Sequence, residues 1–329
     1  MVGIEREIRL SGREMKLIIR RIHAAVMALS LLFISPFGSS PAFAKGETII
    51  RFPDRPIGRF NLIRPASDPT DDGVLSRDNL AVGAIKVPAG CMLSLTLNFN
   101  GSQNTKFIRQ LPSHLIRSIT CKDLEIDDKS VSDICTMTDM VNLNLQGTDL
   151  TDEGIKALSP LTKLRRLNIC DTLVTQKGLA VLKNMPFLDN LNLSRLTLGD
   201  GVVEQLKPLS NLQQLDLCGT QLKEKSLLQL PRFDKLLTLN IGRNNVSDKC
   251  LVSLLKYKNL HALDVMDTWI TGEGLKKLKG LPKLRIIVIR DASLKNGEKE
   301  QLRKLFPLVK INDGSRERVI PKDLFAPLH

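Results

Sequence analysis

Leu260-His261-Ala262-Leu263-Asp264-Val265-Met266-Asp267-Thr268-Trp269-Ile270-Thr271-Gly272-Glu273-Gly274-Leu275 changes its hydrophobic period part-way along. Leu263 and Val265, separated by one polar residue, have the two-residue period of a strand. After a short turn, Leu275, Leu278 and Leu281 have helical spacing. A strand, a turn and a short helix of this size cannot bury their apolar face alone, but stacked copies can.

The copies are present at a spacing of 24 residues. Leu143 returns as Leu167, Leu191, Leu215, Leu239, Leu263 and Ile287, and Leu145 as Ile169, Leu193, Leu217, Ile241, Val265 and Ile289. Leu164, Leu188, Leu212, Leu236, Leu260, Leu284 and Leu308 form a third column. A fourth runs Leu158, Leu182, Leu206, Leu230, Leu254, Leu278 and Leu302. Registers kept this long without an insertion specify a repeat architecture. In the first full unit Thr151 is expected to cap the helix, with Asp152 and Glu153 in its first turn and Pro160 limiting it to about two turns. Upstream, Ile116, Ile119, Cys121, Ile126, Val131, Ile134 and Met137 form a degraded copy, and 92–115 reads as a transition. Residues 45–91 are Pro-rich with β-like runs at 48–52 and 84–87, and read as a β-rich cap over the open end. The repeats, about eight to nine, fill 92–311, and 312–329 is a cap or a tail.

The spacing L-x-x-L-x-L, then Thr-x-Leu/Ile-Thr and a helix, resembles the leucine-rich repeat family over residues 116–311. Thr148, Thr172, Thr220 and Thr268 stand where the family usually has Asn or Cys, with Asn244 once. This variant resembles the short-helix repeats of many bacterial exported proteins. It also resembles repeats of F-box adaptors, against which the export signal and the lack of an F-box argue. The resemblance implies an α/β, ribonuclease-inhibitor-like solenoid: a curved parallel sheet on the concave side, short helices on the convex side, and a small β-rich cap. It further implies a non-catalytic binding protein, read here as a monomer without cofactor or metal.

The amino terminus points to export. Lys16, Arg20, Arg21 and His23 precede the apolar run 24–34, and Ala42-Phe43-Ala44 is a small-x-small cleavage signature. The run is shorter than the roughly 20 residues that span a bilayer. The leader is therefore 1–44, an uncleaved anchor being the competing reading and Met15 an alternative start. The mature chain would lie in the periplasm, at the cell surface or outside the cell, with no membrane span. Removing six Lys/Arg and three Asp/Glu with the leader lowers the net charge from +13 to +10. Such a surface could adhere to anionic envelope polymers, the alternative function. The basic residues are scattered, and one Trp and one Tyr make a poor base-stacking surface, so specific nucleic-acid binding is excluded.

Between the strand leucines lies a column of Asn144, Asn168, Asn192, Asp216, Asn240 and Asp264, expected on the concave face. Asn is depleted in strands, so the column needs a reason. It is either a hydrogen-bonding strip for a protein or polysaccharide ligand, or a set of amides bonded to one another along the sheet. Arg166, Asn190 and Asp267 flank it and vary between repeats, as a specificity surface would. Trp269, the single Trp, is a binding anchor or packs on the next turn. Cys170 and Cys218 share a column two repeats apart, beyond disulfide reach. A bridge among Cys91, Cys121 and Cys135 would staple the cap. No nucleophile–base motif, phosphate loop or metal-ligand spacing is present, so the chain is read as no enzyme.

Overall fold

The computed structural model describes residues 46–64, 73–289, 294–295, 297–306 and 310–312. The expected leader, Arg290 and everything after residue 312 lie outside them.

The chain opens with β1 (Thr48–Arg51), β2 (Gly58–Ile63), β3 (Val74–Leu80), β4 (Ala84–Val87) and β5 (Met92–Leu97). β6 (Ile116–Thr120) and three-residue strands follow: β7 (Asn142–Asn144), β8 (Arg166–Asn168), β9 (Asn190–Asn192), β10 (Gln214–Asp216), β11 (Thr238–Asn240), β12 (Ala262–Asp264), β13 (Ile286–Val288) and β14 (Lys310–Asn312). β1 and β4 pair with each other, and the other 12 strands form one sheet. From β5 to β14 every pairing is parallel and between consecutive strands. Asn142 opposes Arg166, which opposes Asn190. The strand register is thus the 24-residue period of the sequence written in space. The architecture is an α/β solenoid.

The strand leucines of the repeats face inward. Leu143, Leu167, Leu191, Leu215, Leu239 and Leu263 are buried, and Leu158, Leu182, Leu206, Leu230, Leu254 and Leu278 meet them from the opposite wall. Each buried leucine is worth about 1.5–3 kcal/mol. The return segments vary in type and length: 3-10 turns at Gly154–Leu158 and Gly178–Asn184, short α-turns such as Val202–Leu206 and Leu251–Leu254, and an α-helix of about two turns at Glu298–Leu305.

β5 belongs to both halves of the molecule. It pairs antiparallel with β2 and parallel with β6, where Leu95 opposes Ile119. Beyond β2 the sheet ends on β3, whose Ser76-Arg77-Asp78-Asn79 gives the edge polar side chains. Such an edge discourages strand addition by another chain. Ile50, Phe52 and Val87 of the β1–β4 region join Phe60 in the same core as the repeats, with the Phe52 and Phe60 rings 6.0 Å apart.

The convex side carries a lock between repeats. Asp152 accepts hydrogen bonds from Thr175 N (2.7 Å), Thr175 Oγ1 (2.6 Å) and Gly178 N (3.1 Å) of the next repeat. Asp128 does the same for Thr151, and Asp248 for Thr271. Thr151 and Asp152 thus do more than the capping expected of them, although Thr151 Oγ1 does accept from Glu153 N. Room for the carboxylate comes from glycine: a Cβ on Gly154, Gly178 or Gly274 would fall within 2.5 Å of the facing Asp Oδ1. One repeat later the roles exchange. Gly272 stands at the acid's position, and buried Glu298 reaches back over it, where a Cβ would lie 2.7 Å from its Oε2.

Removing a lock carboxylate leaves two donors poorly satisfied, so Asp248→Ala is expected to cost about 1–3 kcal/mol in urea unfolding. Gly274→Glu alone should be worse, because its Cβ would be 1.9 Å from Asp248 Oδ1. Asp248→Gly combined with Gly274→Glu copies the 272/298 arrangement and should recover much of the loss. Strictly additive losses would disprove the lock.

Candidate functional site

The Asn/Asp column closes each strand. At its C-terminal residue the chain turns out of the sheet, and the N–H two residues on is left without a strand partner. Asn144 Oδ1 accepts from Gln146 N, Asn168 from Cys170 N, and Asn192 from Ser194 N, at 2.9–3.0 Å. Asp216, Asn240 and Asp264 accept in the same way from Cys218, Gly242 and Met266. These are Asx turns. The residue after each of those donors is left-handed: Gly147, Asp171, Arg195, Gly219, Arg243 and Asp267 have φ between 52° and 66°. That conformation suits Gly and is tolerated by Asp.

The column therefore serves the chain's own backbone first. Asn144, Asn168, Asp216, Asn240 and Asp264 are buried, and Asn192 is half-buried. Within the column, bonding between neighbours occurs at one step, Asn240 Nδ2 to Asp216 Oδ2 (3.3 Å). Alongside it, Asn190 donates to Gln214, and Asp267 accepts from Arg243 Nε (3.3 Å). Trp269 is 73% exposed.

The bridge expected among Cys91, Cys121 and Cys135 is not formed, and all six cysteines are free thiols. Cys121 follows β6 on the sheet wall, whereas Cys135 closes the helix Asp128–Ile134. Both are core side chains, and burial raises both thiols, Cys135 to about 12. Cys218, two strands from Cys170, is likewise raised to about 12, mainly by burial.

At the cap end the concave face sinks into a depression spanning β2 and β5 to β8. Hydroxyls line it from Ser94, Thr96, Ser118 and Thr120, amides from Asn61, Asn142 and Asn144, and a guanidinium from Arg166. Ser94 and Ser118 bond to each other through their hydroxyls. Asn142 Oδ1 is buried with no hydrogen-bond partner among the described residues. Arg165 donates to Asp189 Oδ2 through Nε (2.8 Å), with its terminal nitrogen 2.7 Å away. Neighbouring Arg166 has no ion pair among the described residues; burial lowers its pKa, against the attraction of Asp189. Arg117, half-buried at the start of β6, is lowered by burial and then by repulsion from Arg166 and Arg165.

Sequence reasoning named Arg166 and Asn144 of this group, with Asn142 beside them as an outward neighbour, and missed Asn61 and the hydroxyls of β5 and β6. The signal was available: Ser94-Leu95-Thr96 and Ser118-Ile119-Thr120 continue the column of Asn142-Leu143-Asn144 upstream. No group of three His, Cys, Asp or Glu side chains among the described residues is placed to hold a metal. His261 Nδ1 is engaged with the Asn259 carbonyl (2.6 Å). No described helix is long and apolar enough to cross a membrane.

Two acids in the turn column have a pH consequence. Burial raises Asp216 from 3.8 to about 7 and Asp264 to about 6. The folded state thus holds a proton that the unfolded state releases, and stability falls as pH rises from about 4 to about 7. Asp216→Asn keeps the Oδ1 acceptor and removes the charge. Its urea midpoint should match the parent below about pH 4 and exceed it above about pH 7. A pH-independent difference would contradict this account.

A leucine-rich repeat family model matches residues 137–159 and 258–279. Among solved structures, an internalin (inlF) from Listeria monocytogenes is similar with a TM-score of 0.50 and 21% identity. The match covers 64% of this chain and 57% of the internalin, so the chain spans little more than half of that protein's length. A second internalin (inlC2) from the same organism gives a TM-score of 0.47 and 24% identity, over 61% of this chain and 82% of that one. Among curated proteins none matches. With repeat period, strand register and the matched segments in agreement, the chain has the leucine-rich-repeat fold.

Proposed function

We propose that this chain is an exported, non-catalytic binding protein that takes a protein or glycan ligand on the concave face of its sheet. The observation that carries this reading is the depression at the cap end. It combines an unpaired guanidinium on Arg166 with an unsatisfied buried acceptor on Asn142. Groups withdrawn from water without partners cost free energy in the unliganded protein, and a ligand bonding to both returns it. Export rests on the leader read at 1–44.

The competing reading is adhesion to anionic polymers through the basic surface as a whole. The immobilised full chain, exposed to cell-envelope extract, separates the two. Arg166→Glu should abolish retention, whereas Arg232→Glu, at a residue paired with Asp234 outside the sheet, should not. Bound material should also survive a high-salt wash. Equal loss in both variants, with release by salt, would replace concave binding by charge adhesion.

A further inference from the structure

The chemistry of the depression narrows the ligand class, on the footing of the concave-face reading. One cation, Arg166, lines it, and a second, Arg117, stands beside it on β6. Ser118 opposes Asn142, which opposes Arg166, and Arg117 immediately precedes Ser118 on β6. The two arginines are thus on strands two steps apart, about 10 Å at ordinary strand spacing. Neither forms an ion pair or side-chain hydrogen bond among the described residues, and Asp189, the nearby acid, is engaged by Arg165. A half-buried guanidinium with a second one in the same region raises the free energy of the empty site. An anion on Arg166 would lower it through charge-assisted bonds.

The rest of the lining indicates what carries the anion. Asn142 Oδ1 requires a donor, which a carboxylate does not provide and a hydroxyl does. The surrounding groups are serine and threonine hydroxyls that bond equally well to a polyol. The apolar lining residues, Ile119 and Leu143, are core residues, so there is no aromatic or aliphatic pocket of the kind that anchors a protein partner. From β5 to β8 the depression spans about 14 Å, longer than a single small ion.

We propose that the cap end of the concave face is a subsite for an acidic sugar, its carboxylate against Arg166 and its ring hydroxyls on Asn142 Oδ1 and the hydroxyls of β5 and β6. The occupant is an oligosaccharide of uronate type. No covalent step is involved.

Calorimetry on the full chain at low salt tests this with tetragalacturonate, its methyl ester and a tetraglutamate peptide. Tetragalacturonate should bind, with the ester and the peptide each at least about tenfold weaker. Arg166→Gln should weaken tetragalacturonate by about tenfold and leave the ester little changed, while Asn142→Ala should weaken both. Arg166→Gln should also raise the urea midpoint of the free protein, because it removes an unpaired buried cation; a residue with only a structural role would lower it. Tetraglutamate binding as tightly as tetragalacturonate overturns the proposal in favour of an acidic peptide. If tetragalacturonate neither binds nor competes while Arg166→Gln still abolishes retention from envelope extract, the acidic sugar falls and concave binding stands. If sugar binding is lost in Arg232→Gln but kept in Arg166→Gln, both fall.

Discussion

A single repeat of this chain has two uncovered surfaces: the backbone edge of a three-residue strand and the apolar side of a short return turn. Strands so short make few hydrogen bonds, and return segments of one or two turns are far below the length at which a helix holds itself together. Both surfaces are covered at once only when the neighbouring repeat lies one strand spacing away in the same phase. An insertion of one residue would preserve neither, since it would turn leucine out of the core and polar residues in. Parallel pairing at a constant 24-residue offset is therefore the constraint on which everything else rests.

The constraint dictates how polar groups are used. Every repeat must leave the sheet at the same point, so the same N–H is orphaned each time and the same Asn or Asp answers it. Every repeat must also set its return turn against the previous one, and the Asp–Thr–Gly lock does this on the convex side. Thr148, Thr172, Thr220 and Thr268 each bond to a carbonyl three residues earlier. Asn244 does so and also accepts from Thr220 and Leu222 of the preceding repeat, which shows what threonine gives up relative to the family's usual residue.

Leucine columns were legible in the sequence because burial depends on composition at a fixed period, and period survives in one dimension. The role of Asn168 was not, because an amide facing a ligand and one bonded to a backbone N–H two residues away have the same spelling. The lock was hidden for a related reason. Asp152 and Gly178 are 26 residues apart and belong to different repeats, and only the exchange at Gly272 and Glu298 betrays the pairing. The depression was half legible: its hydroxyls continue visible columns, but Asn61 arrives by the antiparallel pairing of β2 with β5, opposite Ser94. The mixture of 3-10 and α geometry in the return segments is not revealed by the helical spacing of leucines.

Where the period is kept, successive side chains largely satisfy or cover one another. Among the described residues two buried side-chain atoms lack a partner, Thr238 Oγ1 within the regular repeats and Asn142 Oδ1 near the cap. Asn142 lies where residue types change, at the junction of cap and repeats. There the pairing register shifts between Leu93 and Ser94, amides give way to hydroxyls, and arginine enters the outward columns at 117 and 166. Asn142 keeps its acceptor unpaired, whereas Asn190 and Gln214, one and two repeats beyond Arg166, pair with each other. The proposed ligand site draws on that contrast: the repeats order the sheet, and their cap end presents the open acceptor of Asn142 beside the guanidinium of Arg166.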